Sequence, residues 1–267
     1  MLTFRADLHC HTTCSDGSLS PAELIDLAIK TPLQGLSITD HDTIAAYSHI
    51  KTIPNLLIGT GVEFSCHFMG KSVHILGYDF SLESQELQKL CEWHQNRRQI
   101  RNELILQKLK KIGKPIEESE LKTEGTVGRP HIAEAMVRKG YVQNEREAFN
   151  LYLGDGKPCY DPGPTITIEE TMRVLTLAGG KTFLAHPHLL DGGIRLKELL
   201  KLPFDGIECH YAKCTPQQEK RWLKIAAQKN WLISGGSDFH GSIKPHIPLG
   251  CSWVDEQAFH SIFQNSL

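Results

Sequence analysis

The chain has 267 residues, a formal net charge of -2 and 40% hydrophobic residues. That length can bury a full core, as one large domain or as a domain with an insertion. The near-neutral balance makes no demand for nucleic acid or an anionic membrane, and no apolar run reaches the ~20 residues of a transmembrane helix.

Residues 1–7 lack the basic stretch, apolar core and cleavage site of a secretory signal, so a cytoplasmic location is expected. Eight cysteines are scattered without a C-x-x-C pair. They are expected to be reduced and mostly buried thiols.

Strand-like and helix-like segments alternate. Residues 2–11 read as the first strand. A helix follows from Pro21, with Ser20 as N-cap and Glu23 completing a capping box. Further strands are expected at 35–39, 56–64, 73–78, 181–185, 206–209 and 232–235, and helices near 168–178, 196–201 and 216–229. Strand–helix alternation implies a mainly parallel sheet with crossover helices. Seven such units suggest an α/β fold closed, or nearly closed, into a barrel.

The alternation breaks between residues 82 and 164, where three helices are expected at 83–111, 130–139 and 144–153, the second ending at Gly140 as its C′ residue. This reads as a helical insertion between strands four and five. The chain thus divides into a barrel, residues 1–81 and 165–267, and an insertion, residues 82–164, placed to act as a substrate lid.

Histidines and carboxylates recur at the expected strand ends. His9 and His11 are two apart on one strand and share a face. Asp16 lies beyond them in a Ser-Asp-Gly turn, where a carboxylate can also cap backbone N–H groups. His41 follows strand two between Asp40 and Asp42, one of which is expected to hold its ring through the second nitrogen. Glu63 ends strand three, His74 lies in strand four, His186 follows strand five, and Asp238 and His240 repeat the His9–His11 spacing after strand seven. Singly, each has an ordinary structural reading. Together at one barrel rim, these nine side chains would be costly to bury without metal. At three or four ligands per ion they suggest two or three divalent ions. Mixed N/O donors favour Mn²⁺, Zn²⁺ or Fe²⁺ over Ca²⁺, with Mn²⁺ the first choice. His49, His67, His94, His188, His246 and His260 lack this pattern and are expected at the surface or in packing, with His188 close to His186.

Asp7-Leu8-His9-Cys10-His11, Ser15-Asp16-Gly17, Thr39-Asp40-His41-Asp42-Thr43, Gly61-Val62-Glu63, Val73-His74-Ile75, Ala185-His186-Pro187 and Ser237-Asp238-Phe239-His240 resemble, in order, the PHP (polymerase and histidinol phosphatase) superfamily. The resemblance implies a distorted (β/α)₇ barrel with a cluster of up to three ions. It implies that His9, His11, Glu63 and Asp238 hold one ion, that Glu63 bridges to a second held by His74 and His186, and that Asp16, His41 and His240 hold a third. A metal-bridging water held by Glu63 and Asp238 would be the nucleophile. Gly128-Arg129-Pro130-His131, Tyr152-Leu153-Gly154 and Lys157-Pro158-Cys159-Tyr160 are similar to nucleoside 3′,5′-bisphosphate phosphatases and 5′-to-3′ oligoribonucleases. The chain departs from that branch in one place. Where the branch often has Gly-Ile-Glu-x-Tyr-His and a later His, this chain has Gly206-Ile207-Glu208-Cys209-His210-Tyr211 and Cys214.

The expected chemistry is in-line attack of a metal-activated hydroxide on phosphorus. No G-x-S-x-G motif offers a covalent nucleophile. Arg98, Arg101 and Asn102 share a helix face, and Arg129 and His131 sit at a helix start suited to anions, so these five are candidates for substrate contact. The expected substrate is a nucleotide or short oligonucleotide, with no obligate protein partner. Two alternatives stay open: a histidinol-phosphate phosphatase, which has no use for an arginine-bearing lid, and a silent PHP module serving as a scaffold, which would not retain all nine ligands.

Overall fold

The computed structural model describes residues 3–50, 52–121, 126–190 and 193–264. The expected strand start at Leu2 and the side chain of His49 lie outside them. Seven strands form one sheet in sequential order: β1 (Ala6–Cys10), β2 (Gly35–Ile38), β3 (Leu57–Phe68), β4 (Lys71–Tyr78), β5 (Lys181–Leu184), β6 (Gly206–Tyr211) and β7 (Leu232–Gly236). The sheet curls into a nearly closed barrel. The chain after β7 stitches back onto β1 through Asp238 N–H to the His9 carbonyl, 2.7 Å, and His11 N–H to the Phe239 carbonyl, 2.9 Å.

Helix α1 (Pro21–Lys30) starts as expected, with the Ser20–Glu23 capping box in place. Outside the insertion it is joined by α5 (Ile168–Leu177), α6 (Ile194–Leu199), α7 (Pro216–Lys229) and α8 (Glu256–Ile262). The last was not expected from the sequence; Asp255 caps it.

The sheet is parallel except at β4, which runs antiparallel to both β3 and β5. The reason is local. Met69 and Gly70, both at positive φ (47° and 74°), make a two-residue connection of the kind that joins twisted antiparallel strands. β3 therefore runs on to Phe68 and β4 begins at Lys71, where the sequence had suggested a loop from 65 to 72. The reversal also changes where His74 comes from. It rises to the rim from the first half of an antiparallel strand, and Glu63 from the middle of a long one, not from strand C-termini.

Between β4 and β5 lie α2 (Gln85–Lys111), α3 (Arg129–Arg138) and α4 (Glu145–Ala148), the last running into a π turn, Phe149–Leu153. Ile105, Leu109, Ile132, Met136 and Leu153 are buried in a cluster of their own here. The barrel interior is closed by Leu8, Leu76, Tyr78 and Phe183, all fully buried, and Tyr78 Oη donates to the Leu8 carbonyl at 2.8 Å. These apolar layers sit beneath the rim that carries the polar cluster.

Candidate metal centre

All nine histidines and carboxylates picked from the sequence meet at one end of the barrel. Glu63 is the hub. Its Oε2 lies 3.3 Å from His9 Nε2, 3.2 Å from His11 Nε2 and 3.1 Å from His41 Nδ1. Its Oε1 lies 2.8 Å from His74 Nδ1 and 2.9 Å from His186 Nε2, and those two nitrogens are 3.3 Å apart. Asp238 Oδ1 lies 3.3 Å from His11 Nε2 and 3.6 Å from His9 Nε2. Asp16 faces His240 Nε2 at 3.3 Å and His41 Nε2 at 3.8 Å.

Three overlapping sets could each hold an ion: His9, His11, Glu63 and Asp238; His11, Asp16, His41 and His240; and His41, Glu63 and His74. His41 thus stands between two sets, a sharing that the sequence did not suggest.

The donor chemistry fits divalent metal. His9 Nε2, His11 Nε2 and His41 Nδ1 are buried and have no hydrogen-bond partner, although each lies within ion-pair distance of Glu63. Nitrogens that approach a carboxylate closely but out of hydrogen-bond alignment are arranged as donors sharing an ion. Electrostatics agrees. Burial alone would raise the Glu63 carboxyl, but the His41, His74 and His9 imidazoles hold it well below the ordinary range. Asp16 is treated the same way, its burial outweighed by His41 and His240. Burial pushes His41 down to about 3 against the pull of Glu63 and Asp16, whereas the surrounding carboxylates outweigh burial at His9 and His11 and raise both rings, so those two hold protons that a bound ion would displace. Two of the candidate ligands carry backbone strain: His186 and Asp238 both take positive φ, 27° and 56°.

Several supporting side chains were not singled out from the sequence. Glu208 accepts from His9 Nδ1 at 2.8 Å and from the His186 backbone N–H at 2.6 Å, fixing the His9 ring and the His186 backbone. Asp7 staples β1 to the chain after β7, accepting from Ser237 N–H and Oγ and from Gly250 N–H. The expectation that Asp40 or Asp42 holds the His41 ring is not met. Asp40 accepts from Thr12 N–H, Thr12 Oγ1 and Ser15 Oγ, shaping the turn that carries Asp16. Asp42 accepts from Arg98 and from the Ser65 N–H. Only spatial pairing reveals these roles, since partners such as His9 and Glu208 are 199 residues apart.

Of the five substrate candidates, Arg98, Arg101 and Arg129 line a cavity against the cluster, and Asn102 and His131 do not. Asp16, His41 and His74 share a cavity of about 130 Å³ with Arg97, Arg98, Arg101 and Arg129. Arg98 is committed to Asp42. Arg129 Nη1 pairs with Asp155 at 3.1 Å. Arg101 has no carboxylate partner among the described residues; its Nη2 donates to the Asn102 side-chain carbonyl at 3.0 Å. Burial and the neighbouring Arg98, Arg129 and Arg97 guanidinium groups push it well below its usual range. Asn102 donates to the Val127 carbonyl, and His131 Nδ1 accepts from the Gly128 N–H.

Comparison with known proteins agrees with this geometry. Residues 7–149 match the PHP domain family. The chain is 31% identical to a 5′-3′ exoribonuclease of Haemophilus influenzae, over 95% of this chain and 93% of that one. It is 30% identical to a 3′,5′-nucleoside bisphosphate phosphatase of Chromobacterium violaceum, over 88% and 86%. Among solved structures, one from Bifidobacterium adolescentis, provisionally assigned as a metal-dependent phosphoesterase, superposes with a TM-score of 0.83 at 29% identity, covering 98% of this chain and 96% of that one. The chain belongs to the PHP domain family and is a metal-dependent phosphoesterase of that type.

Proposed function

We propose that the protein removes the 3′-phosphate of nucleoside 3′,5′-bisphosphates, and that the same site accepts short 5′-phosphorylated RNA in the 5′-to-3′ direction. The observation that carries this reading is the arginine-lined cavity against the cluster. Against the roughly 300–1,000 Å³ of a whole ligand pocket, its volume of about 130 Å³ suits one phosphate, not a whole nucleotide. A buried guanidinium crowded by three others is costly unless an anion joins it. A phosphate there would be held beside the cluster with its ester partner at the reacting end. A substrate with two phosphates uses both places; histidinol phosphate uses one. The names of the Haemophilus and Chromobacterium relatives point to the same substrate class.

In this reading His9, His11, Glu63 and Asp238 hold one ion, Glu63, His74 and His186 a second, and Asp16, His41 and His240 a third, with Mn²⁺ the expected metal. Bound divalent ions supply a water deprotonated near neutral pH and Lewis-acid stabilisation of phosphoryl oxygens. The chain's own residues do the rest. Glu63 and Asp238 would hold the nucleophilic water that the ions supply, and Arg101 and Arg129 would fix the second phosphate, with Asn102 and His131 shaping its seat. Glu208 keeps the His9 ring in one tautomer and orientation.

The test is metal-replete protein against adenosine 3′,5′-bisphosphate, a short 5′-phosphorylated RNA and histidinol phosphate. Turnover of the first two well above the third is expected. Preferential hydrolysis of histidinol phosphate would replace this reading.

A further inference from the structure

The Glu208-Cys209-His210-Tyr211 run at the end of β6 has a structural consequence at Asp238. Residues three apart on a regular strand face opposite ways. The register of β6 against β7 shifts between Glu208 and His210. A bulge of this kind inserts one extra residue, so that Glu208 and Tyr211 both turn toward the cluster while His210 turns out to Glu219, 3.2 Å away. Tyr211 Oη then donates to Asp238 Oδ2 at 2.7 Å. Lys244, from the turn after Gly241–Ile243, places Nζ 2.7 Å from the same oxygen. The other oxygen, Oδ1, faces His9, His11 and His240.

We infer that Tyr211 and Lys244 are positioning residues that clamp Asp238, so that it offers a single oxygen to the metal cluster and shares its charge with a fixed ammonium. This deepens the proposed function and rests on Asp238 being a metal ligand. The two donors act differently. Tyr211 is neutral and fixes orientation only. Lys244 is a cation on the same carboxylate as the ion, and two cations so placed repel. It therefore weakens metal binding while holding the geometry that turnover needs. Lys244 is partly exposed, its side chain at 31%, so substitutions there need not disturb the core.

The experiment compares full-length wild type with Tyr211→Phe, Lys244→Met and Lys244→Arg. It measures Mn²⁺ affinity by chelator competition and kcat and KM on adenosine 3′,5′-bisphosphate. Circular dichroism is used to confirm that each variant is folded. Lys244→Met is expected to bind Mn²⁺ at least threefold more tightly, yet to lose roughly tenfold in kcat, the low end for loss of a ligand's supporting partner. Tyr211→Phe is expected to lose a similar factor in kcat, with KM and Mn²⁺ affinity within threefold of wild type. Lys244→Arg should restore both affinity and turnover. Unchanged or weaker Mn²⁺ binding by folded Lys244→Met, or failure of Lys244→Arg to rescue, overturns this inference while leaving the proposed function standing. Wild type that binds no Mn²⁺ overturns both.

Discussion

The Arg98 guanidinium grips the Asp42 carboxylate from across the barrel rim, with Nε at 2.6 Å and Nη2 at 2.5 Å from Oδ2. Both side chains are buried, and the pair ties α2 to the chain beside His41. Gln95 from the same helix donates to the Asp42 backbone carbonyl at 3.0 Å. Burial would raise the Asp42 carboxyl, but Arg98 and His94 hold it well below the usual carboxylate range. Removing one partner leaves the other charge buried and unpaired. Arg98→Met should therefore lower the free energy of unfolding by about 3–5 kcal/mol, read by urea denaturation.

Arg101 should behave in the opposite way. It lies one turn along the same helix but is crowded by guanidinium groups rather than paired with a carboxylate. Arg101→Met relieves that repulsion, so stability should be unchanged or slightly higher. Loss of a phosphate contact should raise KM for adenosine 3′,5′-bisphosphate by roughly tenfold or more, equivalent to the ~1.5–3 kcal/mol of a charged hydrogen bond. Steady-state kinetics and denaturation of the two arginine variants side by side separate structural anchor from substrate contact.

His94 sets a pH dependence. Burial lowers its imidazole from 6.5 to about 4, with Asp42 opposing and Arg97 and Arg98 assisting. Its folded pKa lies below its unfolded one, so between those values the unfolded chain binds more protons. The contribution is complete above about pH 6.5 and is lost as pH falls toward 4, on the order of 3 kcal/mol in all. In metal-free protein, His94→Gln should flatten the slope of stability against pH in that window. Asp42 adds its own loss only at lower pH, below the ordinary carboxylate range.

Glu208 holds His9 by the nitrogen that does not face the cluster and holds the His186 backbone as well. Glu208→Gln keeps the shape but removes the charge that favours the Nδ1–H tautomer. Metal affinity or activity should fall by roughly 10–100-fold, measured by bound-metal analysis after dialysis against a Mn²⁺ buffer.

Much of the site was legible in the sequence because each of its side chains sits beside a strand whose apolar run is easy to read. His9 and His11 share a face by alternation alone. The α/β barrel followed from the strand–helix order, and α1 from the Ser20–Glu23 box. The reversed strand was not legible. Met69-Gly70 is a weak turn signal, since Met rarely takes positive φ, and so His74 was placed at a strand end. The clamp partners were hidden for a different reason. Tyr211 and Lys244 reach the cluster through a bulge and a turn, and strand periodicity carries no information about either. Arg98 and Arg101 look alike on a helical wheel; only the position of Asp42 tells them apart.

If the nine-residue cluster binds the ions that drive phosphoester hydrolysis, activity must follow metal occupancy, which is read by adding Mn²⁺ in known equivalents to chelator-stripped protein while following phosphate release from adenosine 3′,5′-bisphosphate. Release should be absent at the start, rise with added metal and level off only after at least two equivalents are bound, and His9→Ala should bind less metal and release less phosphate. Full activity in the stripped protein, or no hydrolysis of any nucleotide by the fully loaded one, would contradict the account.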